Sequence, residues 1–175
     1  MKLVRWTRFT WDLGRLPSTG EKPSAGYQIR PIVKGDERMV RDVIVSAFSL
    51  NMDWADMLKV MEERLGSELD QVFEGKEPFG LVMTNGSRVI GASAIDFNSE
   101  SENNLVSGPT LVVEYHNRGL GSTLLHQSLL MLRDHGLTTA RGVTKNNSPA
   151  AKFLYPKFGS VAEAWDYEPQ LVGSD

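Results

Sequence analysis

The chain has 175 residues, enough for one domain and too few for two of ordinary size. Hydrophobic residues make up 41% and charged residues 23%, which excludes a disordered or collagen-like chain, and a formal charge of -3 disfavours a nucleic-acid binder with a broad basic footprint. With no cysteine, disulfides, thiolate nucleophiles and cysteine metal sites are all excluded, and the three histidines His116, His126 and His135 are the soft metal ligands that remain.

No window carries 18 consecutive apolar residues, and the start Met1-Lys2-Leu3-Val4-Arg5 breaks its apolar run too early for a signal peptide, so a cytoplasmic protein with no membrane partner is expected. The Gly-, Pro- and Ser-rich stretch 14–24 punctuates structure and sets off 1–24 as an N-terminal extension, leaving a single domain over 25–175. Within the extension Trp6, Phe9 and Trp11 alternate with polar residues and need an apolar surface to cover them. Packing on the parent domain is one solution; contact with a second copy, giving a homodimer, is the other.

Tyr27-Gln28-Ile29-Arg30-Pro31-Ile32 alternates as a strand. Gly35-Asp36-Glu37-Arg38 then opens a helix with Val40, Val43, Ile44 and Ala47 on one face. A second helix from Trp54 carries Met57, Leu58, Met61 and Leu65 and is expected to end at Gly66. Asn85-Gly86 between Phe79–Thr84 and Arg88–Asp96 is a hairpin signal. The polar run 96–104 reads as a loop, followed by Leu105-Val106 and a strand over Thr110–Val113.

The most informative segment is Leu111 to Leu125, where a strand gives way to Gly119-Leu120-Gly121 and then to a helix carrying Leu124, Leu125, Leu129 and Leu132, with Gly136 placed to end it. The unsatisfied amides of a helix start and its positive dipole end attract anions, and glycines let phosphate oxygens approach the backbone. There is no Gly-Lys-Ser/Thr and no third glycine after Gly121, so neither a P-loop nor a dinucleotide fingerprint is present. Further on, Thr139–Thr144 reads as a strand, after which Ser148 can cap and Pro149 can open a helix running into Phe153-Leu154-Tyr155.

In these residues the chain resembles the GNAT superfamily of acetyl-CoA-dependent N-acetyltransferases. The family's first hallmark, Arg/Gln-x-x-Gly-x-Gly/Ala at a strand-to-helix turn, stands here as His116-Asn117-Arg118-Gly119-Leu120-Gly121. Its second, an Asn followed by Ala and then Leu-Tyr-x-x-x-Gly-Phe, stands as Asn147 to Gly159 with Leu154-Tyr155 and Phe158-Gly159. This sequence departs from the pattern at His116, at Asn147, which lies one residue early with Ser148 in its place, and at Ser160, which replaces an aromatic residue.

The resemblance implies an α/β (α+β) fold with a mixed, mostly antiparallel sheet whose central strands, near 111 and 141, splay to admit a thioester. It implies transfer of an acetyl group from acetyl-CoA to a primary amine, by direct attack in a ternary complex and without a metal. The pyrophosphate would lie on Asn117, Arg118, Gly119, Leu120, Gly121 and Ser122, with Asn147 and Ser148 beside the cofactor. Leu111 and Val113 would bond the pantetheine arm through their backbones, Arg118 would supply the cation lost at 116, and Tyr155 would be the general acid. Asp96, Glu100, Glu102 and Glu114 are all candidates for the general base, as is a water relay. By the same architecture Phe48, Met52, Trp54 and Met57 would wall the pocket of a small-molecule or peptide amine, with Asp53 and the 96–104 loop attracting its charge. The alternative reading is a catalytically silent acetyl-CoA-binding sensor or interaction module.

Overall fold

The computed structural model describes residues 5–17, 23, 25–49, 58–75 and 78–166. Among the described residues seven strands form two antiparallel sheets, and three α-helices pack with them. Strands β2 (Tyr27–Pro31), β3 (Gly80–Asn85), β4 (Arg88–Ala94) and β5 (Thr110–Leu111) lie side by side in chain order. The second sheet runs β6, β1, β7, with β1 (Trp6–Asp12) between β6 (Thr139–Lys145) and β7 (Val161–Trp165) and antiparallel to both.

Residues 6–12 are therefore no extension. They form the middle strand of a sheet, with Phe9 paired to Gly142 on one side and to Ala162 on the other. Trp6, Phe9 and Trp11 are buried, so of the two ways of covering these aromatics the structure shows packing on the chain's own β6, β7 and Tyr155.

The inner strands β3 and β4 of the first sheet are buried on both faces because they carry apolar residues at successive positions. Val82, Ala92 and Ala94 face α1 (Glu37–Ser49) and α2 (Leu58–Glu74) through Val40, Ile44 and Leu69. Leu81, Met83 and Ile90 point the other way, onto Leu120 and Leu124 of α3 (Leu120–Asp134). A third cluster joins β1 to α3 through Trp11, Leu125 and Leu129. The hairpin at Asn85-Gly86 forms with Asn85 opposite Arg88, and its register shifts between Met83 and Thr84.

Three expectations differ from the structure. The second helix runs through Gly66 to Glu74, because Leu69, Val72 and Phe73 extend the buried stripe and Gly66 keeps a helical backbone in open space. The second strand of the hairpin ends at Ala94, short of Asp96. The strand at 110 stops at Leu111, after which Val113–Tyr115 winds into a 3-10 turn.

The step from β2 into α1 is fixed by Asp36. Its buried carboxylate takes two bonds from the Arg30 guanidinium (2.7 and 2.9 Å) and one from the Val33 N–H (2.9 Å). The Arg30 bonds, followed by the backbone bond, hold its pKa below the ordinary carboxyl value. A depressed folded-state pKa contributes stability that is fully present above the unfolded value and is lost as pH falls through the folded one. Asp36→Asn is expected to lower stability at pH 7 by about 1–3 kcal/mol, toward the lower end because Arg30 is partly exposed and rehydrates. The difference from wild type should shrink below pH 4 in denaturant titrations; a gap that persists at low pH would assign the effect to packing instead.

Candidate functional site

The two sheets part between β5 and β6, which do not pair. One end of the gap is stitched by Asn103 and Asn104, from the loop between β4 and β5. The Asn104 N–H donates to the Arg141 carbonyl (2.8 Å), its side-chain oxygen accepts from the Arg141 N–H (2.9 Å), and the Asn103 side-chain oxygen accepts from the Val143 N–H (3.1 Å). Beyond Val143 the gap opens into a cleft of about 440 Å³.

α3 starts at the mouth of this cleft. Asn117 and Gly119 take left-handed backbone (φ 62° and 75°), a conformation open to Gly and tolerated by Asn, and this turns the chain sharply from β5 into the helix. The first intrahelical bond is Thr123 N–H to the Gly119 carbonyl, and no side chain caps the helix, so the amides of residues 119–122 lack helical partners. A Cβ at Gly121 would meet nothing closer than 3.8 Å. Lys157 donates to Ser122 Oγ (2.5 Å), placing an ammonium beside those amides.

Of the residues singled out in the sequence, Leu111, Asn117, Gly119, Leu120, Gly121, Ser122, Ser148 and Tyr155 line the cleft, and so does His116. Val113, Arg118 and Asn147 do not. Val113 lies in the 3-10 turn, 57% exposed, with its carbonyl taken by the His116 N–H. Arg118 bonds the Glu114 carbonyl and the Tyr27 hydroxyl and packs over the Tyr115 ring, so the cation at the helix start is Lys157. Asn147 supplies a left-handed turn (φ 64°) that delivers Ser148, whose Oγ accepts from the Ala151 N–H (3.2 Å) and meets Thr144 Oγ1 (3.1 Å).

The pantetheine pair implied by the resemblance is also altered. Because the Val112 N–H donates to the Ile90 carbonyl, the backbone groups of Leu111 alternate away from β4, into the gap. His116 Nε2 lies 2.9 Å from the Leu111 carbonyl and, bonded to a carbonyl, must donate. Among the described residues the Leu111 N–H is thus the group this strand still offers a ligand.

Tyr155 is buried, edge-on to Phe9 and Trp11 with ring centroids 5.5 Å from each. Its hydroxyl lies against Gly108, whose φ of +63° and missing Cβ make room for it; a Cβ there would come within 2.2 Å of the oxygen. Burial pushes the phenol above its ordinary pKa, so the hydroxyl keeps its proton across the neutral range. Ser160 donates to the Tyr155 carbonyl (2.5 Å) and anchors the residue's backbone.

The candidate bases divide. Glu102 is paired with Arg8 and Glu114 with Arg88, Glu100 is exposed, and Asp96 accepts from the Asn98 N–H (2.9 Å). Phe48 lines the cleft, whereas Met52, Asp53, Trp54 and Met57 lie outside the described residues. Among the described residues no group of three His, Asp or Glu side chains is placed to hold a metal, and no helix is long and apolar enough to cross a membrane.

No protein-family model matches the chain, and no curated protein does. Solved structures do. A GCN5-related N-acetyltransferase from Sphaerobacter thermophilus superposes with a TM-score of 0.61 at 16% identity, over 93% of this chain and 50% of that one. One from Kribbella flavida gives 0.59 at 13% identity, over 93% and 56%. One from Ralstonia eutropha JMP134 gives 0.55 at 16% identity, over 86% and 99%. The chain has the GCN5-related N-acetyltransferase fold. It spans about half the length of the first two structures and nearly all of the third.

Within this N-acetyltransferase fold three charged residues of the cleft carry no mark in the motifs, Lys157, Arg64 and Glu68. Lys157 lies in the run Tyr155-Pro156-Lys157 with nothing to mark its direction. Glu68 did carry a signal: it shares the helical stripe of Met61, Leu65 and Val72, an acid at an apolar position.

Proposed function

We propose that the protein transfers an acetyl group from acetyl-CoA to a primary amine. The observation that carries this reading is the uncapped, glycine-turned start of α3 opening into the gap between β5 and β6, with the Tyr155 hydroxyl in the same cleft. Four free amides, the dipole of α3 and the Lys157 ammonium fit a pyrophosphate, and the absent Cβ at Gly121 leaves space for one. The Leu111 N–H, turned into the gap, would bond the pantetheine arm. Bound there, acetyl-CoA would supply an activated acyl group on a thiol leaving group.

Tyr155 serves as proton donor to that leaving group. Its raised pKa keeps the proton available but makes it a weaker acid than a thiol of pKa about 8.5, so its contribution is modest. Tyr155→Phe is expected to lower kcat toward the lower end of the roughly 10²–10⁴-fold typical of acid–base catalysis, with acetyl-CoA affinity unchanged. Separate measurement of kcat and KM tests this, since an effect confined to the transition state appears in kcat. Full kcat in the Phe variant would make Tyr155 a packing residue. The reading as a whole is tested by calorimetry with acetyl-CoA and thiol release over an amine panel; absence of acetyl-CoA binding would overturn it. The site's chemistry needs no metal ligand from the protein, and no metal is part of the proposal.

A further inference from the structure

A second cavity, of about 490 Å³, adjoins the cofactor cleft. Arg64, Glu68, Asn103 and Val106 line both, so they form the partition between the two spaces. Asn103 is held to β6 by its bond from the Val143 N–H, which fixes one side of the partition. α2 supplies the other side, where Arg64 donates to Glu68 one turn on (2.9 Å).

The lining of the second cavity is of two kinds. Val72, Ile95, Phe79 and Phe97 give it an apolar body, with Phe79 set edge-on against Phe97 (4.7 Å between centroids) and 41% exposed at the surface. The charged groups acting on Glu68 are Arg64 on its own helix and Asp96 just beyond β4, while Glu102 in the following loop also lines the cavity and is already paired with Arg8 of β1. Asp96 is left with a backbone N–H as its partner, so the cavity carries more acid than base on its walls.

We propose that this second cavity receives the acceptor as an alkyl- or arylalkylammonium ion and that Glu68, in the partition, takes its proton. The inference rests on the acetyl-transfer reading above. An ammonium ion with an apolar body matches both kinds of lining, since its charge is drawn by Glu68 and Asp96 while its body displaces water from the aromatic walls. Such an ion cannot attack until it loses a proton. Glu68 is mostly buried, and burial raises its carboxyl pKa, with the Asp96 charge adding to the effect and Arg64 opposing it. The carboxylate is therefore a stronger base than a surface glutamate.

The proton accounting closes on the chain's own groups. Glu68 takes one proton from the ammonium, and the freed nitrogen forms its bond to the thioester carbonyl carbon. The C–S bond breaks, Tyr155 gives its proton to the departing thiolate, and the tyrosinate recovers one from the acylated nitrogen. Glu68 then releases its proton to water, and one proton is liberated for each amide formed.

The test uses the full chain with acetyl-CoA and 2-phenylethylamine as probe, comparing wild type, Glu68→Gln and Glu68→Asp. Acetyl-CoA affinity in calorimetry should be the same in all three. Thiol release at pH 7 should fall by about 10²-fold in Glu68→Gln, with partial recovery in Glu68→Asp. The deficit should narrow toward pH 10, where the amine loses its proton unaided. Gln71→Trp, at the exposed edge of the second cavity, should raise KM for the amine without changing acetyl-CoA affinity. Glu68→Gln with wild-type turnover and an unchanged pH profile would overturn the proposal, as would a wild type that binds acetyl-CoA but acetylates no cationic amine. Loss of acetyl-CoA binding in the wild type is a different result, because it removes the transfer reading and this inference with it.

Discussion

Gly121→Glu is expected to abolish acetyl-CoA binding while leaving the protein folded. A Cβ at 121 meets only ordinary contacts, the nearest 3.8 Å from Leu154, so the backbone need not move. The carboxylate would then lie in the first turn of α3, among the free amides where a pyrophosphate would bind. Two unit charges about 4 Å apart at the effective dielectric of a protein surface repel by about 4 kcal/mol, which corresponds to roughly a 10³-fold loss of affinity. The same carboxylate should stabilise the free protein slightly, because a negative charge at a helix start is worth about 0.3–1 kcal/mol. Calorimetry and thermal denaturation together make the test specific. Lost binding with an unchanged or raised Tm supports the phosphate site, and retained affinity in a native protein would refute it.

Trp11→Ala should cost about 3–5 kcal/mol, the range for truncating a large buried aromatic residue. Trp11 is fully buried, stacks with Phe9 (6.3 Å), meets Tyr155 edge-on and donates its indole N–H to the Lys157 carbonyl (2.9 Å). Truncation leaves a cavity between β1 and α3 and an unpaired carbonyl beside the site. Against a typical domain stability of about 5–15 kcal/mol the loss is large. Urea titration measures it, and Trp11→Phe should restore part by filling most of the volume. A change below about 1 kcal/mol would mean that β1 contributes little to the core.

What the sequence disclosed follows from the range of the interactions involved. The Asn85-Gly86 hairpin, the Gly119 turn and α3 are specified by residues adjacent in sequence, so their spacing is enough to locate them. β1 is specified by partners at 139–145 and 161–165, and nothing near Trp6 or Trp11 announces them; alternation marked those residues as needing cover without saying what covers them. β5 read as longer than it is because Val112-Val113 has strand propensity, whereas the structure bends there so that His116 can reach Leu111. In the site, the glycine turn was visible and the direction of charged side chains was not. Lys157 takes the place expected of Arg118 because long side chains go where the tertiary structure offers a partner.

The position of β1 bears on the order in which the molecule assembles. Thr7 bonds to Asn146, 139 residues away, and Trp11 to Lys157, 146 away, whereas β2, β3, β4 and β5 pair in chain order. Closing such long loops opposes early pairing, and folding slows as contacts become less local. The half built from β2, β3, β4 and the helices around them can therefore collapse first, while β1 waits as an unpaired apolar strand until β6 and β7 arrive. Tyr155 gains its burial against Phe9 and Trp11 in that same final step. Competence to hold a ligand in the cleft should accordingly appear in the slowest refolding phase, after most helical signal has returned.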